Sequence, residues 1–256
     1  MGKNKWARWS ELNSFANVIQ PEISGIVGTD HPVKGNWRTT VFKNSAPIVL
    51  ELGCGKGEYT VSLAEMFPKN NFTGVDIKGA RMWRGAKTSN ERSMTNVAFL
   101  RTRIEFIDRF FSEGEADEIW ITFPDPHTGT RNTNKRLTSP WYLAKYASFL
   151  KRGGIIHLKT DSAELFHYTR TIIKTCRHEE LFASDNLYSA ELKHNDVIIG
   201  LSGSLNIPTE TQLFVNNILS IKTFYEKQFL AKGMKITYLA FRLNNDSIAE
   251  HAGEKA

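Results

Sequence analysis

Between about Pro47 and Cys176 the chain alternates short apolar runs with amphipathic stretches, the rhythm of strands joined by crossover helices. PIVLEL (47–52), NFTGVD (71–76), NVAFL (96–100), ADEIWITF (116–123) and GIIHLKT (154–160) are short and apolar nearly throughout, which predicts strands of a parallel sheet covered on both faces. EYTVSLAEMF (58–67) and the segment from Gly79 to Glu91 predict the helices that follow the first two strands. TSPWYLAKYASFLKRGG (138–154) starts on Thr or Ser with Pro140 in its first turn and reaches Gly153, the start and stop signals of a helix. Five strands with crossover helices predict an α/β fold with a doubly wound, mostly parallel sheet, whose ligands sit at the carboxyl ends of the strands. The later pattern predicts a hairpin addition: an apolar run NDVIIGL (195–201), a polar loop with Pro208, a helix through KTFYEKQF (222–229), then Gly233 and an antiparallel C-terminal strand in MKITYLAFRL (234–243). Residues 1–45 read as a partly flexible basic N-terminal arm, 46–243 as the folded domain, and 244–256 as a flexible tail.

Composition narrows the class. Over 256 residues, 41% hydrophobic and 23% charged positions are ordinary globular values and exclude a collagenous, coiled-coil or largely disordered chain. No apolar run approaches the roughly 20 residues of a membrane span, and the start lacks the apolar stretch of a signal peptide, so a cytoplasmic protein with no membrane partner is expected. Cys54 and Cys176 form no CxxC and have no His at ligand spacing, so neither a disulfide framework nor a metal site is expected. The histidines are scattered and are assigned no chemistry.

Charge adds a partner. Residues 78–103 hold seven basic residues against the single acid Glu91, and 126–159 hold seven against none, so the net charge of +6 hides a strongly polarised chain. Such polarisation is the footprint of a polyanion. Trp83, Trp141 and Tyr142 lie among these cations, as stacking surfaces or as core residues of their helices, and KNKWARW (3–9) reads as a further basic arm or an untethered tail.

The candidate chemistry begins at ELGCGKG (51–57), at the end of the first strand and before a helix. Gly53, Gly55 and Gly57 allow a sharp turn and close approach of a ligand. Glu51 is a carboxylate at the strand end, suited to a cationic amino-acid moiety, and Asp76 ends the second strand, suited to ribose hydroxyls. The Gly-x-Gly-x-Gly spacing favours S-adenosylmethionine over a nicotinamide dinucleotide. After the fourth strand, ITFPDPHTGTRNTNKRL (121–137) brackets Asp125 between Pro124 and Pro126, where a methyl acceptor is expected to lie.

ELGCGKGEYTVSLA, GVDIKGARMWRGAKT, EIWITFPDPH, NKRLTSP, GGIIHLKTD and the late TFYE, in that order across about 47–243, resemble bacterial tRNA (guanine-N7)-methyltransferases. The resemblance implies a class I S-adenosylmethionine-dependent methyltransferase domain of Rossmann-like fold, acting on N7 of the variable-loop guanine in tRNA as a monomer or homodimer. It implies cofactor-binding roles for Glu51, Gly53, Gly55, Gly57 and Asp76, and a place for Asp125 both near the sulfonium and in catalysis. Asp161, Thr223 and Glu226 correspond to substrate-binding positions; Asp161 and Glu226 are suited to accept from the N–H groups of guanine's Watson–Crick edge, and Thr223 either joins them or caps a helix. Two departures stand out. Where many members carry a substrate-contacting Lys this chain has Gly129, leaving Arg131 or Lys135 to supply that charge, and Arg103 falls where many members bracket the adenine with an acid or amide, with Arg101, Thr102 and Ile104 as neighbours.

Two other readings compete: a class I methyltransferase for another RNA or a small molecule, and a non-catalytic RNA-binding relic. Intact ELGCGKG, Asp76 and Asp125 weigh against the relic, and the basic surface against a small molecule. GLSGS (200–204) lacks the second glycine of a hydrolase elbow.

Overall fold

Apolar strands need cover on both faces, and the arrangement of elements provides it. The computed structural model describes residues 3–22, 25, 28–188 and 221–246. Within them the strands are β1 (Val18–Ile19), β2 (Ile48–Leu52), β3 (Asn71–Asp76), β4 (Val97–Arg101), β5 (Ala116–Thr122), β6 (Leu150–Thr160), β7 (Glu179–Ser184) and β8 (Thr237–Arg242). The α-helices are α1 (Lys3–Leu12), α2 (Glu58–Met66), α3 (Gly79–Glu91), α4 (Pro140–Ala147), α5 (Ala163–Thr175) and α6 (Phe224–Ala231).

One sheet runs in the order β1-β4-β3-β2-β5-β6-β8-β7, parallel from β1 to β6, with β8 inserted antiparallel between β6 and β7. Strand alternation sorts the core into two layers. Ile48, Leu50 and Leu52 face one way with Ile119, Ile121, Ile156, Leu158 and Phe241, under Tyr142 and Tyr146 of α4 and Leu165 and Phe166 of α5. Val49, Trp120, Ile155 and Tyr238 face the other way, under Tyr59 and Leu63 of α2 and Met82 and Ala86 of α3.

Three expectations are revised. The helix begun at Pro140 stops at Ala147 instead of reaching Gly153, because Leu150 enters the sheet opposite Ala116; Gly153, at φ 78°, lies inside β6. The C-terminal strand pairs with β6 and β7, and β7 escaped the pattern because EELFAS is half polar, as an edge strand permits. The expected partner run 195–201 and Pro208 lie outside the described residues. Finally, much of the stretch read as an N-terminal arm is packed. β1 pairs with β4, and Trp37 is fully buried, stacked on Phe111 at 4.8 Å and donating from Nε1 to the Phe110 carbonyl at 2.7 Å. α1 lies against α3, where Glu11 accepts from both Trp83 Nε1 (2.7 Å) and Lys87 Nζ (2.8 Å).

Candidate active site

Between β2 and β5 the strand order reverses, and crossovers leaving in opposite directions open a crevice at the carboxyl edge. A cleft of about 730 Å³ lies there, walled by the residues that follow four strands: Gly53 after β2, Asp76 at the end of β3, Thr102 and Arg103 after β4, and Phe123 to Asp125 after β5. Ile104, Leu137, Tyr142 and Phe229 give it an apolar and aromatic lining, with Lys78, Arg81 and Lys135 as its lysines and arginines beside Arg103.

The three glycines of the first turn do different work. Gly53 and Gly55 take φ of 78° and 55°, a region that side chains resist, and the space where their Cβ atoms would stand is open. Gly57, also left-handed, is the N-cap of α2, and a Cβ there would lie 2.6 Å from the Phe99 ring; its place is set by packing on Phe99 and Gly85, not by the cleft. Asp76 accepts from Gly55 N at 2.9 Å and from Lys78 N at 2.7 Å, which ties the turn to the end of β3 while its carboxylate lines the cleft.

Glu51, expected to contact the cofactor, is not among the residues that wall the cleft. On β2 it shares the face of Val49, turned beneath α2, and is 3% exposed. It accepts from Thr60 N at 2.8 Å, from the Thr60 hydroxyl, and from Thr122 Oγ1 at 2.6 Å, so it fastens the start of α2 to the end of β5. Burial pushes its pKa up to about 7, against the lowering effect of those hydrogen bonds.

Asp125 sits in the opposite wall with its side chain 75% exposed. Its Oδ1 accepts from His127 N at 3.2 Å, and the flanking residues Phe123 and His127 are held at φ 49° and 43°, strained values for residues with side chains. Arg136, nearly buried, holds that loop: Nε donates to the Pro126 carbonyl at 3.1 Å, Nη2 to the His127 carbonyl at 3.2 Å, and the guanidinium pairs with Glu164 of α5. Thr102 and His127, to which the sequence assigned no role, also line the cleft, as does Tyr142, weighed there as a stacking surface or a core residue. The signal for Thr102 was its position just past a parallel strand; its buried hydroxyl has no hydrogen-bond partner among the described residues.

A family model described as "Putative methyltransferase" matches residues 45–238. A tRNA (guanine-N(7)-)-methyltransferase of Bacteroides thetaiotaomicron is 44% identical over 98% of this chain and 90% of its own length. One from Christiangramia forsetii is 45% identical over 94% of this chain and 98% of its own. The chain belongs to the tRNA (guanine-N(7)-)-methyltransferase family. Among solved structures, the 16S rRNA methyltransferase KamB superposes with a TM-score of 0.56 at 12% identity, covering 80% of this chain and 92% of that one, a likeness of fold.

In this member of the family Lys135 is the one of the remaining expected residues that walls the cleft; Arg131, Asp161, Thr223 and Glu226 are not among its lining residues. Arg131 is exposed. Asp161 follows β6, half buried, with its carboxyl pKa raised by burial, and β6 lies against the Asp125 loop through Phe123 N donating to the Lys159 carbonyl at 2.8 Å. Thr223 is the N-cap of α6, its Oγ1 accepting from Glu226 N at 3.3 Å, which realises the capping alternative. Glu226, expected as an acceptor for guanine, is fully buried: it pairs with Lys159 Nζ at 2.8 Å and accepts from the Tyr188 hydroxyl at 2.5 Å. An unpaired charge there would be prohibitive, so each ion holds the other, and burial still draws Lys159 down to about pKa 8. Among the described residues no group of His, Cys, Asp and Glu is arranged to hold a metal, and no helix is long and apolar enough to cross a membrane.

Proposed function

We propose that this protein methylates N7 of the variable-loop guanine of tRNA, using S-adenosylmethionine. The observation that carries the reading is the cleft at the strand-order reversal, with a glycine turn and Asp76 on one wall and the Pro-bracketed Asp125 on the other. The residues fit the cofactor. Open space beside Gly53 admits a ligand against the backbone, the Asp76 oxygens keep lone pairs beyond those used by Gly55 and Lys78, and the Thr102 hydroxyl is buried without a partner among the described residues. Gly53, Asp76 and Thr102 would hold it, and when bound it supplies an electrophilic methyl group on a sulfonium.

N7 of guanine carries an in-plane lone pair outside the π system, so it attacks without first losing a proton and the chain need not provide a strong base. The work left to the protein is positioning. Asp125 on its braced loop orients the acceptor base or the donor's amino group, and Asp161 accepts from the N–H donors that distinguish guanine from adenine. Lys135 takes the cationic role left open by Gly129. Glu226 and Thr223 act one step back, by fixing α6 on the end of β6. The proposed compartment is the cytoplasm.

The test uses purified protein, methyl-labelled S-adenosylmethionine and unmodified tRNA with guanine or adenine in the variable loop. Label is expected in the guanine substrate alone, at N7, and Asp125→Ala is expected to lower the rate at least a hundredfold. Cofactor binding with no label in either tRNA would overturn the proposal, and full activity of Asp125→Ala would remove that residue from it.

A further inference from the structure

Beside the cleft, a second groove of about 470 Å³ opens between α1, α3 and the turn before α2. Its walls carry Arg8, Lys56, Arg81, Arg84 and Trp83, with Glu58 as the acid among its lining residues. Glu58 accepts from Phe224 N at 2.9 Å, so it is already engaged at the start of α6. None of Arg8, Lys56, Arg81 and Arg84 forms a salt bridge among the described residues. Four cations line one concave surface, with Glu58 the one acid among its lining residues.

Three of these cations rest on aromatic rings. Arg8 lies over Trp83 at 4.8 Å, Lys56 over Phe224 at 3.6 Å and Arg81 over Tyr225 at 5.9 Å. A guanidinium resting on a ring keeps its edge N–H donors free and has already lost much of its rotamer freedom, which lowers the cost of gripping a phosphate. Along α1, beyond the groove, Trp6 and Trp9 remain 65% and 37% exposed, with Arg101 over the Trp9 ring at 4.3 Å. Arg81 lines both the groove and the cleft, so the two adjoin at that side chain.

We infer that the α1–α3 groove is a separate RNA site, which grips the sugar–phosphate backbone away from the methylated base while Trp6 and Trp9 offer stacking surface to a neighbouring nucleotide. The cations are spread along two helices and a turn instead of converging on one point, which suits a polymer of phosphates better than a single anion. This site rests on the reading of tRNA as substrate and adds to it the anchoring of that substrate. Displacing a variable-loop guanine from the tRNA core costs stacking and pairing energy, and an anchor outside the cleft supplies binding to offset it.

The experiment measures binding of unmodified tRNA to the full chain by filter retention across a salt series, for the parent and for Arg8→Glu/Arg84→Glu. Both residues lie on helix surfaces outside the cleft lining, and circular dichroism with cofactor titration checks that the fold and cofactor site are intact. The expected result is a dissociation constant raised at least tenfold near 0.1 M salt, a log–log salt slope shallower by about two, and an unchanged turnover number at saturating tRNA. Arg8→Lys/Arg84→Lys is expected to restore the slope. Parent-like affinity and slope in the reversed variant would overturn the site, as would competition at the groove by polyglutamate equal to that by tRNA, which would assign it to an acidic protein. Because binding is read without methyl transfer, a parent that binds tRNA through this groove but transfers no label would tell against the proposed activity and leave the groove standing.

Discussion

Glu51, identified by its motif, has structural contacts that its motif does not suggest. Its place at the end of β2 was legible, but its contacts were not: spacing to the glycines says nothing about which face of the strand a side chain takes, whereas alternation with Val49 turns it under α2 toward Thr60 and Thr122. Folding raises its pKa from 4.5 to about 7, so the folded form retains a proton that the unfolded chain releases. Its contribution therefore declines as pH rises through that window, by an amount on the order of 3 kcal/mol. Glu51→Gln keeps the shape and removes the titration. Urea unfolding of both proteins at pH 5 and pH 7.5 is expected to show the variant gaining on the parent at the higher pH; parallel stabilities would refute the shift. Thr102 is the complementary case, a residue whose chemistry is too plain to be noticed in a sequence and whose buried hydroxyl has no partner among the described residues.

At the scale of elements, the five strands from 47 to 160 were readable because burial on both faces leaves nearly continuous apolar runs, while β7, at the sheet edge, is half polar and was not. The loop after β5 was readable as a Pro-bracketed acid, but not how it is braced. Arg136 is eleven residues from Asp125 in sequence and meets the loop only because the intervening chain folds back. Arg136→Lys keeps the charge and loses the fork that holds two carbonyls. With Phe123 and His127 then freer to relax from their left-handed backbone, the transfer rate is expected to fall about tenfold while cofactor affinity stays constant. An unchanged rate would show that the loop holds itself.

For the whole molecule, the polarised charge was visible in the sequence, and so was the order of elements that makes the cleft. The integration of the N-terminal segment was not, because GNWRTTVF carries too few apolar residues to betray that Trp37 fills a core site between Phe42 and Phe111. Trp37→Ala is expected to cost about 3–5 kcal/mol in urea unfolding, since it empties a large site and strands the Phe110 carbonyl. A loss under about 1 kcal/mol would mean that this segment folds apart from the sheet.

The insertion of β8 between β6 and β7 has a bearing on synthesis. β6 ends at Thr160 and β7 at Ser184, yet the strand that joins them is completed only at Arg242, close to the end of a chain of 256 residues. A ribosome emits the chain from its amino end, so β6 and β7 emerge with unsatisfied edges and wait for some fifty further residues before their shared neighbour arrives. The sheet is thus finished only when β8 has emerged, and a chain cut short before β8 leaves the β6 edge open and β7 without its partner strand, fit for degradation and not for modifying RNA.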